Sequence, residues 1–294
     1  MATTTSTCFD CHAHISSHEF DMDLEQVLLD AKERGVAAIV GVTEFRVDFE
    51  KILDLSERYP DAIAPCLGIH PVQSLNPERS VTHSDLEGVE DIIRQNHHKL
   101  FAVGEIGLDF TPRFIKSDKD KGIQKEVFVR QIKLAQELDL PVNVHSRSAG
   151  RHVIQILKEQ GASRVLLHAF DGRASVALQG AQAGFFFSIP PSIVRSEQKQ
   201  KLVKHVPLSN LLLETDSPAL AAVKQTRNEP KNISISCEEI ARLKGVPPAT
   251  VYEETTKNAL KLFPKLQRFI KKIEILVLHN TCVLCTTDKF YVMF

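Results

Sequence analysis

The sequence predicts an α/β fold, a (β/α)8 or TIM barrel, on three observations. Eight short apolar runs recur along the chain, each followed by a segment of helical character. The runs are rich in Val, Ile, Leu and Phe, as parallel strands are when helices cover both faces of their sheet. Six of the eight end on or near a His, Glu or Asp, and the C-terminal strand ends are where this fold carries its chemistry.

Each strand and helix has its own signal. The first strand is residues 7–14 (TCFDCHAH), and its helix, 23–35, has Asp23 at the N-cap position and Gly35 as its stop. The second strand is 37–42 (AAIVGV), with a helix over 49–59 that ends before Pro60, which cannot continue it. The third strand, 63–70 (IAPCLGIH), leads to a helix over 84–99, where Ser84 and Glu87 have capping-box spacing. The fourth, 100–107 (LFAVGEIG), precedes the longest amphipathic stretch, 121–138. The fifth, 140–145 (LPVNVH), is followed by a helix over 151–160 that stops at Gly161. The sixth, 164–170 (RVLLHAF), and the seventh, 184–190 (GFFFSIP), carry helices over 173–183 and 196–205. Phe185–Phe187 read as core packing in the seventh strand. The eighth strand is 210–216 (NLLLETD), with helices over 236–244 and 250–262 beyond it. Short links between alternating strands and helices signal right-handed βαβ units. A doubly wound open sheet is the rival fold, but no Gly-rich phosphate loop comes after the first strand.

The barrel domain is assigned to residues 1–265 and an atypical C-terminal tail to 266–294. After Lys272 the tail is apolar but lacks clean periodicity, and nothing in the barrel requires it. The chain has 294 residues, 43% hydrophobic and 25% charged, with a formal net charge of -1. That charge excludes a general basic footprint for nucleic acid, so a polyanion would have to be held by a local site. The opening MATTTST has neither the charged nor the apolar region of a secretion signal, and no apolar run is long enough to span a bilayer. The expected location is therefore the cytoplasm, with the nucleus as alternative. Cys8 and Cys11 form one CxxC and Cys282 and Cys285 another. Free thiols in a reducing compartment are the favoured reading over a shared four-cysteine zinc site.

Chemistry concentrates at the strand ends. His12 and His14 are two apart in a strand, so both imidazoles point the same way, as one metal ion needs. Glu105 lies between glycines that leave room for a ligand, and a buried carboxylate there demands a cation or hydrogen bonds. His145, His168 and Asp216 end the fifth, sixth and eighth strands. Four His and two carboxylates from five strands can hold two divalent ions if one carboxylate bridges.

DCHAH at 10–14, GIHP at 68–71, VGEIGLD at 103–109, VHSR at 144–147, LLHAF at 166–170 and ETDSP at 214–218 together resemble the TatD family of metal-dependent deoxyribonucleases. TTKNALKLF at 255–263 resembles the final helix of that family, so the likeness covers the whole barrel; the tail after Pro264 departs from it. The resemblance implies a binuclear centre in which Glu105 bridges, His12, His14 and Asp216 complete one ion, and His145 and His168 the other. Imidazole-rich ligation favours zinc, with magnesium or manganese as alternatives. Two divalent ions less two carboxylates and a hydroxide leave roughly +1, enough to attract phosphate to a near-neutral protein.

Asp216 is assigned a second task, accepting a proton from the attacking water. His70 is a candidate to contact phosphate or protonate the leaving group, and Arg147 a candidate to fork onto phosphate oxygens. Asp10 and Glu214 are candidates to orient the ligating histidines. The basic residues of 113–125, with Lys199, Lys201 and Lys204, read as solvated helix surface in preference to a backbone-steering patch. The resemblance implies hydrolysis of DNA phosphodiesters, by 3′-exonuclease or abasic-site endonuclease action, with DNA as substrate; no membrane, no obligatory protein partner and a monomeric state are the further expectations. The alternative is hydrolysis of small amides, esters or nucleoside-like metabolites on the same barrel. Many such relatives use a modified Lys on the fourth strand, where this chain has Glu105. A non-catalytic scaffold ranks third, because no expected ligand is missing.

Overall fold

The computed structural model describes residues 7–73 and 77–270. Eight parallel strands curl into one barrel. They are β1 Cys8–Ala13, β2 Val36–Gly41, β3 Ile63–Leu67, β6 Ala102–Gly107, β7 Val142–His145, β8 Val165–Leu167, β9 Phe186–Ile189 and β10 Leu211–Leu213. A small antiparallel hairpin, β4 Val72–Gln73 and β5 Arg79–Ser80, interrupts the count and was not anticipated. Barrel strands adjacent in sequence are adjacent in the sheet, so the switch point of a doubly wound fold is missing. The seam between first and last strands closes just past their ends, where Asp216 N–H donates to His12 O (2.9 Å) and His14 N–H to Ser217 O (2.7 Å).

The helices are α1 Leu24–Glu33, α2 Asp48–Arg58, α3 Val89–Asn96, α4 Asp118–Glu137, α5 Gly150–Glu159, α6 Ala174–Gln182, α7 Glu197–His205, α8 Ile233–Lys244 and α9 Pro248–Leu262. One expected cap is found in place and another is corrected. Asp23 stands at the N-cap of α1 but makes no capping bond, because its carboxylate is taken by Arg227 at 2.6 and 3.0 Å. The single helix expected over 84–99 is a 3-10 turn, His83–Leu86, followed by α3, with Gly88 (φ +72°) between them. Its capping pair is Thr82 with Asp85 rather than Ser84 with Glu87, since Asp85 accepts the Thr82 N–H at 2.7 Å.

Two apolar layers build the barrel. Outside, Ile52 and Leu55 of α2, Phe128 and Ile132 of α4, and Val153 and Leu157 of α5 belong to one buried cluster with Ile39, Ile63, Val103 and Val142 of the strands. Inside, Phe9, Cys11, Ala38, Val40, Ala64, Cys66, Leu166, Phe186 and Leu212 form a second cluster with Leu262, Phe263, Leu266 and Phe269. These last four plug the N-terminal end, so packing continues past residue 265, with Phe269 2% exposed and its ring 5.9 Å from that of Phe101. Cys8 and Cys11 are buried free thiols. Residues 271–294, with Cys282 and Cys285, lie outside the described residues. Among the described residues no helix is long and apolar enough to cross a membrane.

The candidate site residues gather at the C-terminal mouth, and two register slips aim side chains into it. Opposite β2, Asp10 pairs with Ile39 but Ala13 with Gly41; opposite β7, Val103 pairs with Val142 but Ile106 with Val144. Each slip inserts one extra residue, a bulge that re-aims the side chains beyond it. Strict alternation from Ala102 would turn Glu105 away from the barrel axis; the bulge returns it to the inside.

Candidate metal centre

Glu105 is the hub. It is 1% exposed, at the end of β6, in a space kept open by its glycine neighbours. A Cβ on Gly104 would sit 2.6 Å from Asn143 Cβ, and one on Gly107 (φ +148°) 2.1 Å from His145 O. The two Glu105 oxygens serve two groups of side chains. Oε2 faces His12 Nε2 (3.6 Å) and His14 Nε2 (3.5 Å). Both imidazoles also face Asp216 Oδ1, at 3.4 and 3.3 Å. Oε1 meets His145 Nδ1 and His168 Nε2, each at 2.7 Å, and those two nitrogens are 3.2 Å apart. The rings of His12 and His168 stack at 3.7 Å between the two groups.

The two halves differ in readiness for an ion. Donors around a tetrahedral zinc with bonds near 2.0–2.1 Å lie about 3.3 Å from one another. The His12, His14, Asp216 and Glu105 spacings of 3.3–3.6 Å match that value. At these spacings His12 Nε2 and Asp216 Oδ1 are buried with no hydrogen-bond partner. Orphaned polar atoms of this kind are costly unless something binds them. On the other side the His145 Nδ1 contact is a hydrogen bond and His168 Nε2 approaches as closely, so both imidazoles must draw back from Glu105 to admit an ion. The His12, His14 and Asp216 donors could therefore hold a divalent metal as they stand, whereas the His145 and His168 side could do so only once it opens.

Electrostatics divide the same way. Burial alone would raise the Glu105 pKa, but the neighbouring His168, His70 and His12 and a hydrogen bond from His145 hold it well below the usual carboxylate range. Asp216 is likewise lowered, by His12 and His14 against the cost of burial. Burial opposes protonation of His14, yet Glu44, Asp216 and Glu105 raise it to about 10. His145 is raised to about 9, against burial, by Asp109 and Glu105. His168 goes the other way, to about 3, through burial and the adjacent His12.

Surrounding residues fix these groups. Asn143 Oδ1 lies 2.8 Å from His12 Nδ1 and turns the other ring nitrogen toward Asp216. Asn143 Nδ2 donates to Cys11 O at 3.1 Å. Asp109 Oδ2 lies 3.2 Å from His145 Nε2, and Glu44 joins His14 and Glu105 in a further group of potential donors. Sequence reading missed all three. Asn143 carried a signal, a polar residue two before His145 and so on the same face of a buried strand.

Three expectations are revised. Asp10 does not orient a ring: it accepts from the backbone N–H of Thr215 and His12 and from the Thr215 hydroxyl, tying β1 to the segment after β10. Glu214 accepts from Ala169 N–H (2.9 Å) and the Ser188 hydroxyl and stands 3.9 Å from His168 Nδ1, so it braces the segment after β8. Lys199 is not solvated surface but 8% exposed, while Lys201 pairs with Glu197 on the helix surface as expected. Of the 113–125 residues, Arg113 pairs with Glu78 and Lys121 with Asp118.

His70 and Arg147 both reach the mouth. His70 Nε2 is 3.7 Å from Glu105 Oε1. Its Nδ1 lies 3.1 Å from both Val72 N and Val72 O, so that nitrogen can accept from the one or donate to the other, and Nε2 faces the site. Burial and the nearby His145 lower its pKa, which favours the neutral ring. Arg147 has its side chain 52% exposed, with Nη1 3.7 Å from Asp109 Oδ2.

A family model described as TatD related DNase matches residues 9–264. Human deoxyribonuclease TATDN3 is 59% identical over 90% of this chain and 97% of its own length. The uncharacterized metal-dependent hydrolase YabD of Bacillus subtilis is 38% identical over 87% and 98%. Among solved structures, the TatD homologue YJJV of Escherichia coli superposes with a TM-score of 0.79 at 27% identity, covering 88% of this chain and 99% of that one.

Proposed function

The chain belongs to the family of TatD-related DNases, and from that premise we propose that it hydrolyses DNA phosphodiesters at a binuclear centre. The observation that carries the reading is the division of Glu105: each of its oxygens addresses a separate set of imidazoles. His12, His14 and Asp216 would hold one divalent ion, His145 and His168 the other, with Glu105 common to both. Bound there, the ions would supply Lewis acidity and a water acidified toward about pH 7.

The chain's own groups do the rest. Asp216, with a carboxylate kept ionised at neutral pH, accepts the proton of the attacking water. Its φ of +56° lies in the left-handed region that Asp tolerates better than most side chains, so the carboxylate is held at the seam of the barrel rather than along a strand. His70 Nε2–H donates to a phosphate oxygen or to the departing oxygen, and the Arg147 guanidinium forks onto the non-bridging oxygens. Asn143 keeps the His12 tautomer that leaves Nε2 free for an ion. Zinc is the metal the imidazoles favour, and 3′-end trimming and abasic-site incision are the two modes the family resemblance implies.

The test is a fluorogenic panel of single-stranded DNA, abasic duplex and small amides, each with and without added metal. Metal-dependent cleavage of either DNA substrate, with the amides untouched, supports the reading. Amide turnover with intact DNA overturns it in favour of small-molecule hydrolysis.

A further inference from the structure

Among the described residues, Lys199 is the only Lys or Arg with a buried side chain. It belongs to the first turn of α7, whose N-cap Ser196 accepts the Lys199 N–H at 3.3 Å. A cation in a first turn opposes the helix dipole, so neither helix stability nor solvation accounts for it. Nζ donates to Ala169 O at 2.6 Å, and among the described residues no carboxylate lies within 4.0 Å of it. An ammonium has three hydrogens to give, and a buried charge with one acceptor is expensive. The position explains what the other two await. Ala169 directly follows His168, adopts φ +42°, and is held by Glu214 through its N–H. The charged groups acting on Lys199 are Glu214, Asp171, Asp216 and Arg147, from the segments that end β7, β8 and β10.

We propose that Lys199 is a substrate-binding residue, donating through Nζ to a non-bridging oxygen of the phosphodiester at the centre, on the far side of the β8 segment from Arg147. This rests on the proposed function and deepens it, because a second, buried cation selects anionic phosphate over neutral amides and esters. Charge-assisted hydrogen bonds to phosphate are the short, strong class that offsets such a burial.

The experiment titrates inorganic phosphate into metal-loaded protein by calorimetry, for the wild type and for Lys199→Met, which keeps length and removes charge. The expected result is a loss of phosphate affinity of about 10- to 100-fold, a matching rise in KM for a short oligonucleotide with little change in kcat, and unchanged metal content. The slope of log KM against log salt should fall by about 0.7–0.9 for one lost phosphate contact. Unchanged phosphate affinity, with reduced metal content or melting temperature, overturns the proposal and makes Lys199 a brace for Ala169. Should Lys199→Met not fold, nitrogen-15 spectra of lysine ammonium groups in the wild type decide. The resonance missing from Lys199→Arg must move on phosphate addition, and a stationary one overturns the proposal. The two readings fail separately. Phosphate bound through Lys199 without DNA cleavage sinks the nuclease alone; DNA cleavage with an unchanged KM in Lys199→Met sinks only the role of Lys199.

Discussion

Replacing Asn143 by Leu should weaken one metal ion and spare the other. Asn143 is fully buried, and its Oδ1, 2.8 Å from His12 Nδ1, is the acceptor that fixes the ring. Leu keeps the volume but leaves Nδ1–H without a partner, at a desolvation cost of about 1–3 kcal/mol. The proton then gains by moving to Nε2, the nitrogen that faces Asp216 and must be bare to bind metal. Loss of such an outer partner typically lowers metal affinity about 10- to 100-fold, or about 1.4–2.7 kcal/mol. Competition against a chromophoric chelator should resolve two stepwise constants. The tighter belongs to the His12, His14 and Asp216 half, whose donors already stand at ligand spacing, and it alone should drop. Asn143→Asp, which retains the acceptor, should stay close to wild type at that ion. Two unchanged constants in Asn143→Leu would refute the assignment of His12 as a ligand oriented by Asn143.

Metal loading at pH 7 should release protons, because His14 at about 10 and His145 at about 9 are protonated there and must be bare to ligate; calorimetry in buffers of different ionisation enthalpy measures the release, and none would contradict the assignment. Without metal, these two raised histidines contribute stability that is fully present below their unfolded value near 6.5 and is lost as pH rises through 9 to 10. The buried Asp10, pushed by burial to about 7, and Glu214, pushed by burial to about 8, act in the same direction. The melting temperature of chelator-treated protein should therefore fall between pH 7 and 10, and a rise would be contrary. Asp216→Asn keeps the left-handed backbone preference but loses basicity, and should cost about 10²–10⁴ in kcat at full metal occupancy; a near-normal rate with both ions bound would remove the base role. Phe269→Ala should destabilise the barrel by about 3–5 kcal/mol, whereas deleting 271–294 should leave denaturant stability and activity near those of the full chain. Loss of activity in a folded deletion protein would show that the tail serves the site.

The strand ends were legible because each proposed ligand closes a continuous apolar run, and a buried parallel strand admits polar residues mainly where the sheet stops. Their convergence was legible too, but for His12, His14 and Glu105 the simple period of two is not the whole reason. Register slips in β1 and β6 complete it, and a one-residue bulge leaves no mark in the pattern of side chains. The β4–β5 hairpin has two-residue strands, too short for any periodicity. Ser84 and Glu87 had capping-box spacing, but so did Thr82 and Asp85, and Arg79, bidentate on Asp85, favours the latter. Lys199 was hidden among Lys201 and Lys204; only the direction of the first turn of α7 separates a buried ammonium from solvated neighbours.

The most direct measurement is a titration of chelator-stripped protein with zinc, following bound metal per chain and the rate on a fluorogenic DNA oligonucleotide in the same samples. The account predicts that activity appears as the second ion binds and saturates at two per chain. Glu105→Gln, which loses the charge shared by both halves, should fail to reach two. Full DNA cleavage at one ion per chain, or two bound ions with no cleavage of DNA, would contradict it.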